Sequence, residues 1–213
     1  MLFVPHLGRV RTGVFFGLLN AAVAARLAAM LSAERLTTWA EDRFYGEDII
    51  VRESSDYQRV VVAAGTAGVR LFLNGNLQFH SRDGYRHHES LVHPALAAHG
   101  APKRVLVLGG GDGLAVREIL KHPGVEQVTL VELDPHMTRL FAQQPKLVAL
   151  HAGVLSNPLV RVVNADGYAW LETVQQSFDV IVIDFPDPTN FSLGKLYTTS
   201  FYQGVDQALS AAG

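Results

Sequence analysis

Arg104-Val105-Leu106-Val107-Leu108-Gly109-Gly110-Gly111-Asp112-Gly113-Leu114 is the stretch that decides the fold. Its continuous apolar run predicts a strand buried on both faces, as in a parallel sheet covered by helices. The glycines that follow let the backbone approach a ligand, and the helix expected over Leu114–His122 would add positive potential at its start. A G-x-G-x-x-G dinucleotide fingerprint starting at Gly109 would need glycine at position 114, where the chain has Leu114. A pyrophosphate ligand is therefore disfavoured, and a mononucleoside or adenosyl ligand is preferred. Taken alone, the loop is equally readable as a tight strand-to-helix turn.

The pattern repeats downstream. Val128-Thr129-Leu130-Val131 and Val180-Ile181-Val182-Ile183 are further apolar runs, and Val160–Val163 is a weaker one. Pro135–Gln143 and Gly167–Gln175 are long enough to be crossover helices, and Thr199–Leu209 reads as a last helix. This alternation predicts an α/β, Rossmann-like, doubly wound parallel sheet of the class I methyltransferase type over residues 85–213. Phe178–Phe185 is too apolar for an exposed edge, so a further strand is expected beside it and the chain reads as C-terminally truncated.

Upstream, Asp48–Glu53, Tyr57–Ala63 and Val69–Leu73 are short β-branched segments separated by turn residues, and Asn74-Gly75 is a strong hairpin signal. They predict a small antiparallel β-subdomain over residues 41–84. Tyr85–His99 then reads as a helix, with Leu91, Ala95 and Ala98 at helical spacing. Residues 1–40 hold an apolar segment, Val14–Leu31, interrupted only by Asn20 and Arg26. It fits the end of a membrane region, an amphipathic or alanine-rich surface helix, or a signal peptide preceded by Arg9 and Arg11. The first of these is the reading adopted.

Composition narrows the function. The 213 residues carry 18 Lys+Arg against 20 Asp+Glu, with 48% hydrophobic residues. Such a chain can bury a core, and it lacks the basic excess expected of a nucleic-acid binder. With no cysteine, disulfides, thiolate metal sites and a cysteine nucleophile are excluded. His87, His88 and His93 do not have the spacing of H-E-x-x-H, and no metal is expected.

Acids stand at every expected strand end: Asp112, Glu132, Asp166 and the pair Asp184/Asp187. An acid where Glu132 lies, about 20 residues past a glycine loop, suits two ribose hydroxyls. Asp166 would accept from an adenine amino group. Helix capping is the competing reading for Asp134 and Asp166, but Glu132 is a poor cap. So many carboxylates around one nucleoside point to a cationic partner. Asp184 and Asp187 would hold an amine while one of them accepts its proton.

Taken together, these residues resemble the polyamine aminopropyltransferase (spermidine synthase) family. The resemblance rests on Tyr57-Gln58, Leu73-Asn74-Gly75 with Gln78, His88-Glu89, Leu91-Val92-His93-Pro94, the Gly109–Gly113 loop, Val131-Glu132-Leu133-Asp134, Asp166-Gly167 and Asp184-Phe185-Pro186-Asp187-Pro188. It implies transfer of the aminopropyl group of decarboxylated S-adenosylmethionine to a diamine such as putrescine, releasing methylthioadenosine, with no other cofactor. It places Gln58, Gln78, Gly109, Gly111, Glu132, Asp166 and Gly167 on the nucleoside. His88, Asp112 and Asp187 fall on the amine, and Asp184 takes the position of the general base. The N-terminal segment resembles the last span of membrane-attached bacterial members, whose catalytic domain faces the cytoplasm, and family members commonly form dimers. Where relatives usually have Asp-Glu and Tyr, this chain has Asp83-Gly84 and His87, and Thr189-Asn190-Phe191 lacks a proline found in the soluble enzymes. A methyltransferase acting on a small cationic acceptor, and an inactive nucleoside-binding fold, are the alternative readings.

Overall fold

The computed structural model describes residues 4–45, 48–188 and 191–211. The chain forms two compact units that meet in sequence at Ile50–Val51. The first is dominated by helix α1 (Val4–Tyr45), which breaks its helical geometry at Gly8. Ala and Leu are strong helix formers and carry it through its middle. From Val10 to Ala29 it is long and apolar enough to cross a membrane, at 20 residues and about 1.5 Å each matching a hydrocarbon core of about 30 Å. Its apolar side chains are exposed, Leu18 by 67% and Val14 by 58%.

The second unit holds two sheets. Strands β1 (Ile49–Ser54), β2 (Arg59–Gly65), β3 (Gly68–Leu73) and β4 (Asn76–His80) lie in the order β1-β2-β3-β4. β2 and β3 pair antiparallel, as do β3 and β4. The predicted hairpin turn is present: Asn74 and Gly75 both have positive φ, 50° and 82°, the combination that matches the twist of the flanking strands. Phe79 of β4 packs edge-on against Phe141 of helix α4 (Pro135–Gln143).

The parallel sheet comprises β5 (Arg104–Gly109), β6 (Gln127–Glu132), β7 (Val160–Asn164) and β8 (Val180–Asp184), in the order β7-β6-β5-β8. These are the four apolar runs of the sequence. Period-two alternation sends Val105 and Val107 into one core layer and Leu106 and Leu108 into the other. The first layer is covered by α2 (Ser90–His99) and α3 (Leu114–Ile119), the second by α6 (Gly167–Thr173) and α8 (Thr199–Ala208). Helices α5 (Pro145–Leu150) and α7 (Phe191–Gly194) complete the set among the described residues. The order reverses between β5 and β8, and the carboxyl ends of strands at such a switch point open into a crevice.

The buried residues of α2 are Val92 and Leu96, with Leu91 partly buried against the same core, whereas Ala95 and Ala98 are exposed. A five-residue π turn, Tyr85–Glu89, leads into the helix and buries His88 four residues before Val92, which sets the phase. Ala95 and Ala98 instead line a groove of about 370 Å³ beside Val180 and Ile181 of β8. Among the described residues, the apolar edge of β8 is paired only at its root: Phe178 N–H donates to the Ala208 carbonyl and Ser210 N–H to the Phe178 carbonyl, both at 2.8 Å.

Candidate active site

The switch point is built from backbone. Gly109 pairs with Asp184 across β5 and β8, and its φ of +81° suits glycine alone. A Cβ at Gly109 would lie 2.2 Å from the Asp184 carbonyl oxygen, and one at Gly111 would lie 2.6 Å from Glu132 Cγ. The glycine loop thus brings the ends of β6 and β8 into contact with it.

On the β6 side, Glu132 accepts from Gly111 N–H at 3.0 Å and from Asp134 N–H at 2.9 Å. Burial lifts its carboxyl above the ordinary range despite those two hydrogen bonds. Asp134 is the N-cap of α4, accepting from His136 N–H, and its other oxygen takes Ser55 Oγ at 2.6 Å and Gln58 Nε2 at 3.1 Å. The turn that leads into β2 therefore brings Gln58 to Asp134, just past the end of β6. Asp166 caps α6 through Tyr168 and Ala169 N–H and also pairs with the Lys195 ammonium. Burial pushes its carboxyl upward, but Lys195 prevails and holds it below the ordinary range. Gly167 opens α6 with Phe185 and Leu108 over its Cα, near enough for an ordinary contact with a Cβ. Gln78 is exposed on β4, and among the described residues no polar contact joins it to the crevice.

On the β8 side the charges crowd. Asp112 accepts from Leu114 N–H at 2.9 Å, and its second oxygen lies 4.0 Å from Nε2 of buried His88. Burial, and then the charge of Asp184, pushes the Asp112 carboxyl up. His88 Nδ1 sits 3.0 Å from the Gly84 carbonyl, which fixes its ring and directs Nε2 at Asp112. Asp184 Oδ1 is 3.1 Å from His87 Nε2. Asp187 is exposed on the loop beyond, where Tyr197 donates to the Pro186 carbonyl at 2.8 Å. Thr189 and Asn190, where the missing proline was noted, lie outside the described residues.

One ligand atom each from His87, His88 and Asp184 falls within 4.8 Å of the others. The hydrogen bonds to Asp184 and to the Gly84 carbonyl already account for that grouping. His93 lies elsewhere, against His122 and Glu118.

The strand ends thus bring together Gly109, Gly111, Asp112, Glu132 and Asp184, with Gln58 and His88 reached through Asp134 and Asp112. Sequence reasoning missed Ser55 and Lys195, and it weighed His87 as a rejected metal ligand and as a departure from a pattern, not as a partner of Asp184. No local signal marks Ser55 or Lys195, whose partners lie 79 and 29 residues away.

The "Spermine/spermidine synthase domain" family matches residues 84–213. A "Polyamine aminopropyltransferase 2" of Ralstonia nicotianae is 47% identical over 243 aligned positions, covering 100% of this chain and 48% of the relative. A "Polyamine aminopropyltransferase" of Leptospira interrogans is also 47% identical, covering 99% and 47%. Among solved structures, a spermidine synthase in complex with the transition-state analogue AdoDATO superposes with a TM-score of 0.71 at 34% identity, over 76% of this chain and 55% of the other. The spermidine synthase of Thermotoga maritima gives 0.68 and 34%, over 76% and 54%. The chain thus spans about half the length of the curated relatives it matches.

Proposed function

This chain belongs to the spermine/spermidine synthase family, and from that premise we propose that it transfers the aminopropyl group of decarboxylated S-adenosylmethionine to a diamine such as putrescine, releasing methylthioadenosine. The observation that carries the reading is the convergence of Asp112, Glu132 and Asp184 on one glycine loop at the switch point.

The chemistry asks little beyond placement. The carbon next to the sulfonium is already electrophilic, so in-line attack requires a neutral amine held nearby. Glu132 and Gln58 would take the ribose, with Gly109, Gly111 and Gly167 admitting the nucleoside to the backbone. Asp166, once released by Lys195, and Gln78 would complete the nucleoside side. Asp112, with His88 behind it, would hold an ammonium, and Asp187 at the crevice mouth would help hold the polyamine. Asp184 would remove the amine's proton; the nitrogen lone pair then forms the C–N bond as the C–S bonding pair leaves with sulfur.

Asp112 would also set donor specificity. It attracts the ammonium of the aminopropyl group and repels the carboxylate that ordinary S-adenosylmethionine carries nearby. Calorimetric titration of the purified protein tests this: the decarboxylated donor binds well ahead of the carboxylated one, and Asp112→Asn shrinks the gap. Tighter binding of S-adenosylmethionine would instead support methyl transfer. We further propose that the Val10–Ala29 stretch of α1 anchors the protein in a membrane with the catalytic unit in the cytoplasm. Its length and its exposed apolar side chains support that reading.

A further inference from the structure

We propose that His87 is a positioning and relay residue for Asp184: it holds one carboxylate oxygen so that the other meets the amine, and it carries the abstracted proton out to solvent. This rests on Asp184 acting as the proton acceptor.

The geometry supplies both halves. His87 Nε2 lies 3.1 Å from Asp184 Oδ1, while Oδ2 is turned over Gly110, where a Cβ would meet it at 2.9 Å. The two oxygens therefore face different surroundings, one an imidazole and one the glycine loop of the crevice. The Asp184 side chain is only 15% exposed, whereas the His87 ring is 59% exposed. With substrate in the crevice, a proton placed on Asp184 has His87 as its polar neighbour on the solvent side. The ring is steadied by His88, stacked edge-on at 4.8 Å, whose own Nδ1 is tied to the Gly84 carbonyl. The charged groups around His87 are Asp184 from β8, Asp112 from the glycine loop, His88 beside it, and the Asp83–Arg86 pair of its own turn. The hydrogen bond to Asp184 comes first in lifting the imidazole above its ordinary value, and the charges of Asp184 and Asp112 assist against burial.

The proton is accounted for at each stage. The ammonium gives H⁺ to Asp184, and the freed lone pair makes the C–N bond as the C–S pair departs. While Asp184 is a carboxylate, neutral His87 carries its hydrogen on Nε2 and donates it to Oδ1. Once Oδ2 holds the amine's proton, the exposed ring exchanges through water to its Nδ1–H tautomer. The carboxyl then turns its O–H toward Nε2 and transfers the proton, and the imidazolium gives up its Nδ1 proton to water, which restores the Nε2–H donor. A protonated His87 cannot accept, so turnover rises with pH through its titration.

Two measurements test this. In steady-state kinetics, His87→Phe is expected to lower kcat about 10- to 100-fold, to lose the acid limb set by His87, and to recover rate on addition of free imidazole; His87→Gln keeps the amine KM but not the rate. A His87→Phe enzyme with wild-type kcat and pH profile, or one that imidazole does not rescue, overturns the relay. NMR titration of the His87 ring reads the pair without turnover: its pKa is expected to fall in Asp184→Asn, and equal values in both proteins overturn the pairing. If the wild-type protein releases no methylthioadenosine with any amine while the NMR coupling is present, the reaction assigned above fails, and the relay with it, although the pair itself stands.

Discussion

Asp112 feels the charge of Asp184, yet the two are assigned different work. Asp184→Asn leaves the nucleoside acids in place, so turnover is expected to fall by about 10²- to 10⁴-fold while methylthioadenosine affinity stays within a few-fold. Parallel kinetics and calorimetry would show this, and equal loss of both would refute the assignment. Asp112 has a raised pKa because burial and Asp184 disfavour its charge. A cationic amine favours the ionised form, so amine affinity is expected to weaken as pH falls through that raised value. The affinity of uncharged methylthioadenosine should not follow, and Asp112→Asn should flatten the amine curve. The acids were legible in the sequence because strand ends are legible. The link from His87 to Asp184 was not, since 97 residues separate them and no periodicity encodes their meeting.

At the scale of elements, the glycine turn tolerates little. Gly109→Ala combines a positive φ with a backbone contact of 2.2 Å, so a stability loss of about 3 kcal/mol is expected in urea denaturation. Helix α3 depends on Glu118, whose side chain is fully buried against Arg117, Lys121 and His93. Burial works to raise its pKa, but Lys121 and Arg117 prevail and hold it low. Its contribution is therefore present above the unfolded value of 4.5 and lost as pH falls through the lower folded one. Glu118→Gln should cost about 2 kcal/mol at neutral pH and much less in acid. The strands could be read from their β-branched runs, because burial on both faces leaves a continuous apolar signature. The inner face of α2 could not: its phase is set by the π turn at Tyr85–Glu89, and a π turn leaves no mark in a 3.6-residue pattern. Helix α5 went unread for a similar reason, being six residues long and lying between a capping glutamine and a left-handed turn.

At the scale of the molecule, the sheet order β7-β6-β5-β8 explains why residues from Gly109 to Asp184 share one crevice. It also leaves the edge of β8 paired only at Phe178 among the described residues. Helix α1 makes a separate prediction. If it anchors the protein, the protein should co-float with phospholipid vesicles, and replacing Leu18, Leu19 and Val23 by Lys should release it with donor affinity unchanged. The reaction itself is tested most directly by incubating the purified protein with putrescine and either decarboxylated or ordinary S-adenosylmethionine, and following products by mass spectrometry. Equimolar methylthioadenosine and aminopropylated putrescine, formed only from the decarboxylated donor, is the expected result; a methylated amine formed from S-adenosylmethionine would contradict the account.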